Sequence, residues 1–524
     1  MCSKTITVLS AIALTCVVSF AGDQLRDTPL NVQDVLVKAE DNRFELEKVI
    51  LHYLNSDDTL KLAAAYFLIS NMEGHCYATY SLVDSAGVEF AFNSADYPSY
   101  DSLLKAWEVI EKEHPTLDFK KKELREDIQT IKADFLIDQI DYAFKAWREK
   151  PWARDFTFGE FCEYILPYRG SNEPLENWRQ YFWNKYAGIE SLMTNPADPI
   201  EAAKIINKDV MTYFTFDPRY YYHPTDQGLS EMLVNRLGRC EDMTNITIYA
   251  MRANGLAVTS DYTPYWANSG NNHAWNAIVT ADGRVIPFMG AEANPGEYSL
   301  WNKLAKDYRK MYSKQPDNLI FQPRKQEKVP GWLAGKSYID VTGDYVKTVD
   351  AMIRLEKSPP DSVDIAYICV FNDGQWQPIH WGRVETNNVT FTKMGTGIAY
   401  LPAYYVNEDS LDPAGPPFVL GDTGAMTMLG ASSTPKIDVS LISTTAKVQQ
   451  VSTDGIDTVF FEAGKAYELF YWDNGWQSLG KMEASGQPLN FTSVPSGRLY
   501  WLVAEGSNRD ERIFAIEDGK QVWW

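Results

Sequence analysis

The chain has 524 residues, which is too long for a single hydrophobic core and therefore predicts several domains. Its hydrophobic content of 45% and charged content of 23% are those of an ordinary globular protein, so wholesale disorder and a fibrous repeat are excluded. The formal net charge of -21 at pH 7 repels phosphate backbones, and we therefore expect no nucleic-acid partner.

The first residues carry the features of an export signal. A lysine precedes a long apolar run, and the small residues Ser19 and Ala21 fit a cleavage site directly after Ala21. We therefore predict a signal peptide over residues 1–21 and an exported protein, either periplasmic or at the cell surface. A lipoprotein cleaved before Cys16 is the second hypothesis. No later run reaches the roughly 18 apolar residues of a membrane helix, so no transmembrane segment is expected.

Residues 22–190 are predicted to form a helical N-terminal region. Apolar residues recur there every three or four positions, as they do on the buried face of a helix. At the end of this region, long hydrogen-bonding side chains crowd around two prolines, and Arg169 and Trp178 are among them. We favour a structural salt-bridge junction at this point. A wall that binds substrate is the alternative.

Cys240 opens the segment that carries the predicted chemistry. An amphipathic pattern over residues 243–251 and a stop at Gly255 predict a helix with this cysteine in its first turn. A helix N-terminus favours negative charge, so it lowers the pKa of a thiol and makes that thiol nucleophilic. Glu241 and Asp242 oppose a neighbouring anion, so the helix alone is not expected to activate the sulfur. A buried packing cysteine is the alternative.

His273 is the candidate general base. It follows a loop rich in glycine and asparagine and begins an apolar strand, which a turn over residues 281–283 joins to a second strand ending near Phe288. This pattern predicts a β-hairpin. A histidine at a strand start, downstream of a helix-leading cysteine, suggests a nucleophile with its base. A lone histidine is more often a structural hydrogen bonder, which is the alternative.

Three segments, "GRCEDMTNITIYAMRANGLAV", "NNHAWNAIV" and "DGRVIPFMG", resemble the transglutaminase-like superfamily, whose members share a papain-like core. The resemblance covers roughly residues 195–310. It implies that Cys240 is the nucleophile, that His273 is the general base and that Trp275 is the packing tryptophan of the histidine strand. It also implies a thioacyl intermediate, formed when the thiolate attacks a carbonyl.

The third catalytic position departs from the family pattern. The place of the usual aspartate falls at or beside Met289, and methionine cannot accept the N–H of a histidine. Glu292 is our candidate for this orienting role, and the amide of Asn294 is an alternative. Loss of an orienting group leaves a nucleophile and its base less well organised.

The loop that precedes the histidine supplies most of the predicted substrate-binding residues. They are Tyr265, Trp266, Asn268 and Asn271, and Arg169 and Trp178 join them from the earlier junction. An ordinary loop that is packed by two aromatic side chains is the alternative. The remaining cysteines Cys76, Cys162 and Cys369 are interpreted as packing residues.

Water or an amine can resolve a thioacyl intermediate, and we favour water. The expected function is hydrolysis of peptide or amide bonds in a peptide, protein or cell-wall-type substrate. The alternatives are a non-catalytic binding protein whose β-domains hold glycan or protein, and an amine-transferring cross-linker. No cofactor and no metal are expected, because the cysteine spacings match no zinc pattern.

The last third of the chain contains an internal repeat with an offset of one hundred residues. The copies that begin at positions 366 and 466 share nine identities, including Trp376 with Trp476 and Tyr400 with Tyr500. A shorter similarity, "YIDVTG" at 338 and "KIDVSL" at 436, precedes each copy. Short β-branched and aromatic runs between turn residues predict two antiparallel β-sandwich-like domains in tandem.

The sequence thus predicts an α+β multidomain protein. After the signal peptide come a helical N-terminal region over 22–190, a transglutaminase-like core over 191–330, and β-domains over 331–433 and 434–524. More loosely, the whole chain resembles large secreted bacterial proteins that have this order of parts.

Overall fold

A computed structural model describes residues 28–408, 410–430, 435–446, 460–507 and 510–524. The predicted signal peptide lies outside the described residues. The chain divides into two compact units: the first ends at 260 and adds 274–299 and 310–314, and the second takes 261–273, 300–309 and 315–524. The domain boundaries stay predictions. In the described part of the chain, no helix is long and apolar enough to cross a bilayer.

The helices are concentrated in the first unit. They are α1 (Leu30–Lys38), α2 (Arg43–Leu54), α3 (Thr59–Asn71), α4 (Tyr100–Glu113), α5 (Asp127–Thr130), α6 (Ala133–Glu149), α7 (Phe158–Tyr164), α8 (Trp178–Lys185), α9 (Pro199–Val210), α10 (Leu229–Asn235), α11 (Cys240–Arg252) and α12 (Thr342–Tyr345).

The strands become dense after the last long helix. They are β1 (Cys76–Val83), β2 (Asp118–Glu126), β3 (Thr215–Phe216), β4 (Leu237–Gly238), β5 (Val258–Thr263), β6 (His273–Val279), β7 (Val285–Phe288), β8 (Tyr308–Lys310), β9 (Tyr338–Asp340), β10 (Thr348–Arg354), β11 (Ile365–Asn372), β12 (Gln375–Arg383), β13 (Asn388–Gly395), β14 (Ile398–Asn407), β15 (Ser410–Pro413), β16 (Phe418–Leu420), β17 (Met426–Met428), β18 (Lys436–Leu441), β19 (Ala466–Trp472), β20 (Trp476–Glu483), β21 (Leu489–Pro495), β22 (Tyr500–Ala504), β23 (Ile513–Glu517) and β24 (Lys520–Trp523).

The helical N-terminal prediction is confirmed for most of its length. Leu136, Ile140 and Phe144 of α6 recur every four residues and are buried, as the periodicity predicts. Helices α2, α3 and α6 pack against one another around this face. The prediction is wrong for β1 and β2, which form an antiparallel pair. Strand β2 reads "DFKKKELRE" and is mostly exposed, so it lacks the apolar alternation by which a strand is recognised.

Two β-sandwiches form most of the second unit, as the repeat predicts. In the first, the pair β10–β13 faces a sheet of order β12–β11–β14–β16–β17, with β15 beside β14. In the second, the pair β18–β21 faces a sheet of order β20–β19–β22–β23–β24. Each sandwich has its own apolar core, with Phe391 and Tyr400 in one and Phe491 and Tyr500 in the other.

The equivalent tyrosines of the two copies make the same kind of hydrogen bond, and the equivalent tryptophans both contact Phe371. The Tyr400 hydroxyl donates to the carbonyl of Gly395 at 2.8 Å, and the Tyr500 hydroxyl donates to the carbonyl of Pro495. Trp376 packs edge-on against Phe371 at 5.5 Å, and Trp476 packs against the same ring at 5.8 Å. These matched aromatic residues therefore serve the fold, as expected for positions that recur with a shared architecture.

The two short similar segments that precede the copies do not occupy equivalent positions in the fold. Strand β9 lies in a sheet with β8, whereas β18 pairs with β21. The structural equivalent of β18 is β10, because Ala351 lies opposite Phe391 and Val439 lies opposite Phe491. The three identical residues of these short segments reflect a common β-propensity and not a common position in the fold.

Candidate active site

Helix α11 begins at Cys240, as predicted, and it ends at the predicted stop. Gly255 has φ 72°, and the N–H of Leu256 donates to the Met251 carbonyl at 3.1 Å, which is a left-handed helix end. The prediction of an amphipathic helix is wrong, because every residue of α11 except Glu241 is buried. The polar side chains along this helix therefore face neighbouring protein and not solvent.

The start of α11 is held in place by the side chain of Asp242. The carboxylate of Asp242 accepts the N–H of Arg239 at 2.9 Å and the N–H of Gln227 at 3.0 Å. Burial, and after it the charge of Asp226, raises the pKa of Asp242 to about 6. A Cβ at Gly238 would lie 2.6 Å from the Cβ of Asp242, so the glycine of the "GRC" motif is required by close packing.

Cys240 is 7% exposed, and its environment does not favour the thiolate. Burial, and after it the charge of Glu241, raises the pKa of Cys240 to about 11. The backbone N–H groups of Ala274 and Glu241 and the charge of Arg239 act in the opposite direction. The expected lowering by the helix start is therefore outweighed by desolvation, and the resting thiol is neutral at physiological pH.

Glu241 is itself neutralised by an ion pair that the sequence analysis missed. Its carboxylate contacts the Lys310 ammonium, which also donates to the Ser171 hydroxyl at 2.7 Å. Burial alone would raise the pKa of Glu241, but Lys310 outweighs it and holds that pKa below its usual value. Lys310 lies 69 residues away in sequence, so no local pattern could have indicated it.

Removing the charge of Glu241 is expected to make Cys240 more reactive. In Glu241→Gln the repulsion of a thiolate disappears while the Lys310 charge remains, so the pKa of Cys240 falls. At a pH below the pKa of Cys240, a fall of one unit in that pKa increases the thiolate fraction tenfold. We therefore expect the rate of alkylation at pH 8 to rise about three- to tenfold. Mass spectrometry of iodoacetamide-treated protein measures this rate. Lys310→Met should act in the opposite direction, and a parallel change in both variants would contradict the prediction.

Strand β6 begins at His273, and it forms the predicted hairpin with β7. Asn276 lies opposite Phe288, and the N–H of Gly283 donates to Thr280 at 2.8 Å in the turn. The backbone N–H of Ala274, the residue directly after His273, favours the thiolate of Cys240 and acts to lower the pKa of that thiol. In the second unit, the His273 ring stacks on Trp266 with centroids 5.9 Å apart. Trp275, the predicted packing residue, is fully buried.

The segment after β7 carries the residues considered for the third catalytic position. Met289 is buried, and its carbonyl accepts the N–H groups of Glu292 at 3.1 Å and Ala293 at 2.8 Å, which closes a tight turn. The amide oxygen of Asn207, on α9, accepts the N–H of Ala291 at 2.9 Å. Helix α9 therefore supports this turn, which is a contribution that the sequence analysis missed.

The geometry of this turn does not show whether Glu292 or Asn294 orients the catalytic histidine. Glu292 is exposed, whereas Asn294 is buried and its amide donates to the Glu297 carboxylate at 3.0 Å. Burial, and after it the carboxylate of Glu292 and the sulfur of Cys240, raises the pKa of Tyr298. Glu292 as the orienting acid stays a prediction.

The predicted substrate-binding loop divides into packed and open residues. Trp266 is buried, and the Asn268 side chain accepts the N–H of Lys303 at 2.7 Å, so both have a structural part. Tyr265 and Asn271 instead line a cleft of about 620 Å³ within the second unit. Two of these residues pack within the protein and two line the cleft. The part of this loop in substrate binding therefore stays a prediction.

Arg169 and Trp178 lie in the buried junction that the sequence analysis favoured. Arg169 donates to the Asp127 carboxylate at 2.6 Å, and the Tyr168 hydroxyl donates to the same group at 2.9 Å. Trp178 stacks on Tyr249 with centroids 5.0 Å apart. Both residues are almost fully buried, and their contacts described here lie within the first unit. Their part in substrate binding stays a prediction.

A buried cysteine at the start of a central helix, followed by an antiparallel hairpin that a histidine opens, defines a cysteine-dependent class of α+β proteins. Residues 188–288 match the family model of the transglutaminase-like superfamily core. This part of the chain is therefore a transglutaminase-like core, as the resemblance implies. It lies between a helical N-terminal part and several antiparallel sheets.

Other comparisons add little to this assignment. The chain is similar to the crystal structure of red sea bream transglutaminase at 10% identity, covering 86% of this chain and 77% of that one. The TM-score of 0.18 is too low to establish a shared overall fold. No curated protein matches the chain. Among the described residues, no three His, Cys, Asp or Glu side chains are grouped to hold a metal ion.

Proposed function

We propose that this protein is an exported cysteine hydrolase that cleaves peptide or amide bonds, with Cys240 as nucleophile and His273 as general base. The observation that carries the proposal is the position of the two residues: Cys240 opens α11 and His273 opens β6, both within the family core matched over residues 188–288. The backbone N–H of Ala274, next to His273 in the chain, also favours the Cys240 thiolate and acts to lower the pKa of that thiol. A peptide, protein or cell-wall-type substrate is the proposed partner.

The reaction would follow the usual course of thiol catalysis. His273 takes the proton of the Cys240 thiol, and the sulfur attacks the carbonyl carbon to form a C–S bond. The N–H groups at the start of α11 have no partner inside the helix, so they can bind the oxyanion. The imidazolium gives its proton to the leaving amine as the C–N bond breaks. Water then attacks the thioacyl carbon, His273 accepts its proton, and the thiol is regenerated with release of the acid.

The raised pKa of Cys240 sets a condition on this mechanism. With a pKa of about 11, only about one thiol in a thousand is ionised at pH 8. Activity at neutral pH therefore requires transfer of the proton to His273 in the reacting complex. A protein that has this fold but no catalytic activity would not carry out this proton transfer.

Selective labelling tests the proposal. We expect a peptide-like electrophile to modify Cys240 at neutral pH, and Cys240→Ala to lose at least about nine-tenths of the label, because among the described thiols Cys162 and Cys369 are buried and Cys76 is half-buried. Burial raises the pKa of Cys162 to about 12 and also raises that of the half-buried Cys76. Intact-protein and peptide mass spectrometry locate the adduct. Labelling of Cys76 in preference to Cys240 would contradict the proposal.

A non-catalytic binding protein is the second candidate function. The low exposure of Cys240 and its raised pKa favour it, because a buried neutral thiol is ordinarily inert. In that case Cys240→Ala would leave ligand binding unchanged, and no electrophile would react at neutral pH.

A further inference from the structure

A cleft in the second unit brings Tyr265 and Asn271, which are predicted to bind substrate, together with residues that have no part in the proposed hydrolase reaction. Its volume is about 620 Å³. The wall is formed by the loop over residues 264–272, by Trp332, and by the turn between β11 and β12. The side chains that can bind a ligand there are Tyr265, Asn271, Trp332, Asp373, Gln377 and Asp510. All of them lie in the second unit.

Trp332 gives this cleft an aromatic platform. Its side chain is a large apolar group that remains 39% exposed. One side of the indole ring packs on Tyr262 with centroids 5.5 Å apart, and the ring meets Tyr265 edge-on with centroids 6.5 Å apart. The ring is therefore held in one orientation while part of its surface faces the cleft. Exposed aromatic rings of this kind stack on the apolar C–H faces of sugar rings.

The polar residues of the wall are planar amides and carboxylates. Asn271 and Gln377 each offer an acceptor oxygen and two N–H donors, and Asp373 and Asp510 offer acceptors only. The described part of the wall contains no lysine, arginine or histidine, which disfavours an anionic ligand. Paired donors and acceptors of this kind match adjacent hydroxyl groups, each of which is both donor and acceptor.

The loop that forms one wall is rigidly supported. The buried amide of Asn372 donates to the carbonyls of Trp266 at 3.0 Å, Ser269 at 2.9 Å and Asn271 at 2.9 Å. Arg512 adds a hydrogen bond of 2.7 Å to the carbonyl of Ala267. A wall that is already ordered loses little conformational entropy on binding, so exposed polar contacts can contribute to affinity.

An amine is a weaker fit than a sugar. Asp373 and Asp510 are both exposed, and an ion pair between solvent-exposed groups contributes little to affinity. A sugar instead uses both kinds of group in the cleft, with its C–H face on Trp332 and its hydroxyls on the amides and carboxylates.

We propose that this cleft binds a neutral carbohydrate, with one sugar ring stacked on Trp332 and its hydroxyl groups bonded by Asn271, Asp373 and Gln377. The inference goes beyond the proposed hydrolase and does not depend on Cys240. Its failure and the failure of the hydrolase proposal are therefore distinguishable.

Calorimetric titration of the full chain carrying Cys240→Ala tests the proposal. The probes are the neutral oligosaccharides cellohexaose, xylohexaose, mannohexaose and chitohexaose. We expect saturable binding of at least one of them, an increase in Kd of at least about tenfold in Trp332→Ala, and a smaller increase in Asp373→Asn. Trp301→Ala is the matched control, because Trp301 is 91% exposed and lies outside the cleft lining.

Three results would overturn the proposal. They are the absence of binding to all four sugars, equal affinity in Trp332→Ala and Trp301→Ala, and binding in the cleft of spermidine instead of any sugar. Circular dichroism of Trp332→Ala separates loss of the platform from loss of the fold, and Asp373→Asn, which changes only an exposed side chain, provides the second variant.

Discussion

Replacing His273 with alanine is expected to slow modification of Cys240 at neutral pH by about a hundredfold or more. A positioned general base typically contributes a factor of about 10² to 10⁴. Without that base the thiol must ionise unaided, and burial raises the pKa of Cys240 to about 11. The rate in the variant should therefore rise about tenfold per pH unit from neutral pH up to about 11, whereas the wild type should already react at neutral pH.

Two further variants separate the base from the structure around it. His273→Phe keeps an aromatic ring beside Trp266 but cannot accept a proton, so it should react as slowly as His273→Ala. His114→Ala removes an exposed histidine from the first unit and should react as the wild type does. The measurement is the rate of iodoacetamide alkylation of Cys240 against pH, read by peptide mass spectrometry. Parallel pH profiles in the wild type and His273→Ala would refute the nucleophile and base pair.

Arg169→Met is expected to destabilise the first unit by about 3–5 kcal/mol, because it leaves the Asp127 carboxylate buried without its counter-charge. Asp127 is fully buried and Arg169 is 4% exposed, so water cannot replace the guanidinium. The lost group also donates to the carbonyl of Glu173, which leaves a second acceptor unsatisfied. Such a loss is a large part of the total stability of an ordinary domain.

Denaturant unfolding followed by the helical circular dichroism signal measures this effect, since most of the helices lie in the first unit. Arg284→Met is the matched control. Its partner is Asp282, and the two side chains are 65% and 61% exposed, so we expect a change below about 1 kcal/mol. Equal losses in the two variants would mean that the buried pair is not important for stability.

The local elements of the candidate site could be predicted from the sequence, because they depend on residues that are close together in the chain. A glycine, a cysteine and a run of apolar residues predict where α11 begins and ends, because helix caps depend on residues a few positions apart. The hairpin from His273 to Phe288 follows in the same way from two short apolar runs and from the turn over residues 281–283. The tandem sandwiches were predictable because the repeat shows the same β pattern twice.

The residues that surround these elements could not be predicted from the sequence, because they come from distant parts of the chain. Lys310 reaches Glu241, and Asn207 supports the turn after Met289, although each partner is distant along the chain. The burial of all but one residue of α11 likewise depends on helices α8 and α9, which its own amphipathic pattern does not include. The pKa of Cys240 is set by this packing: a helix start alone would lower it, and desolvation, which only the folded chain imposes, raises it.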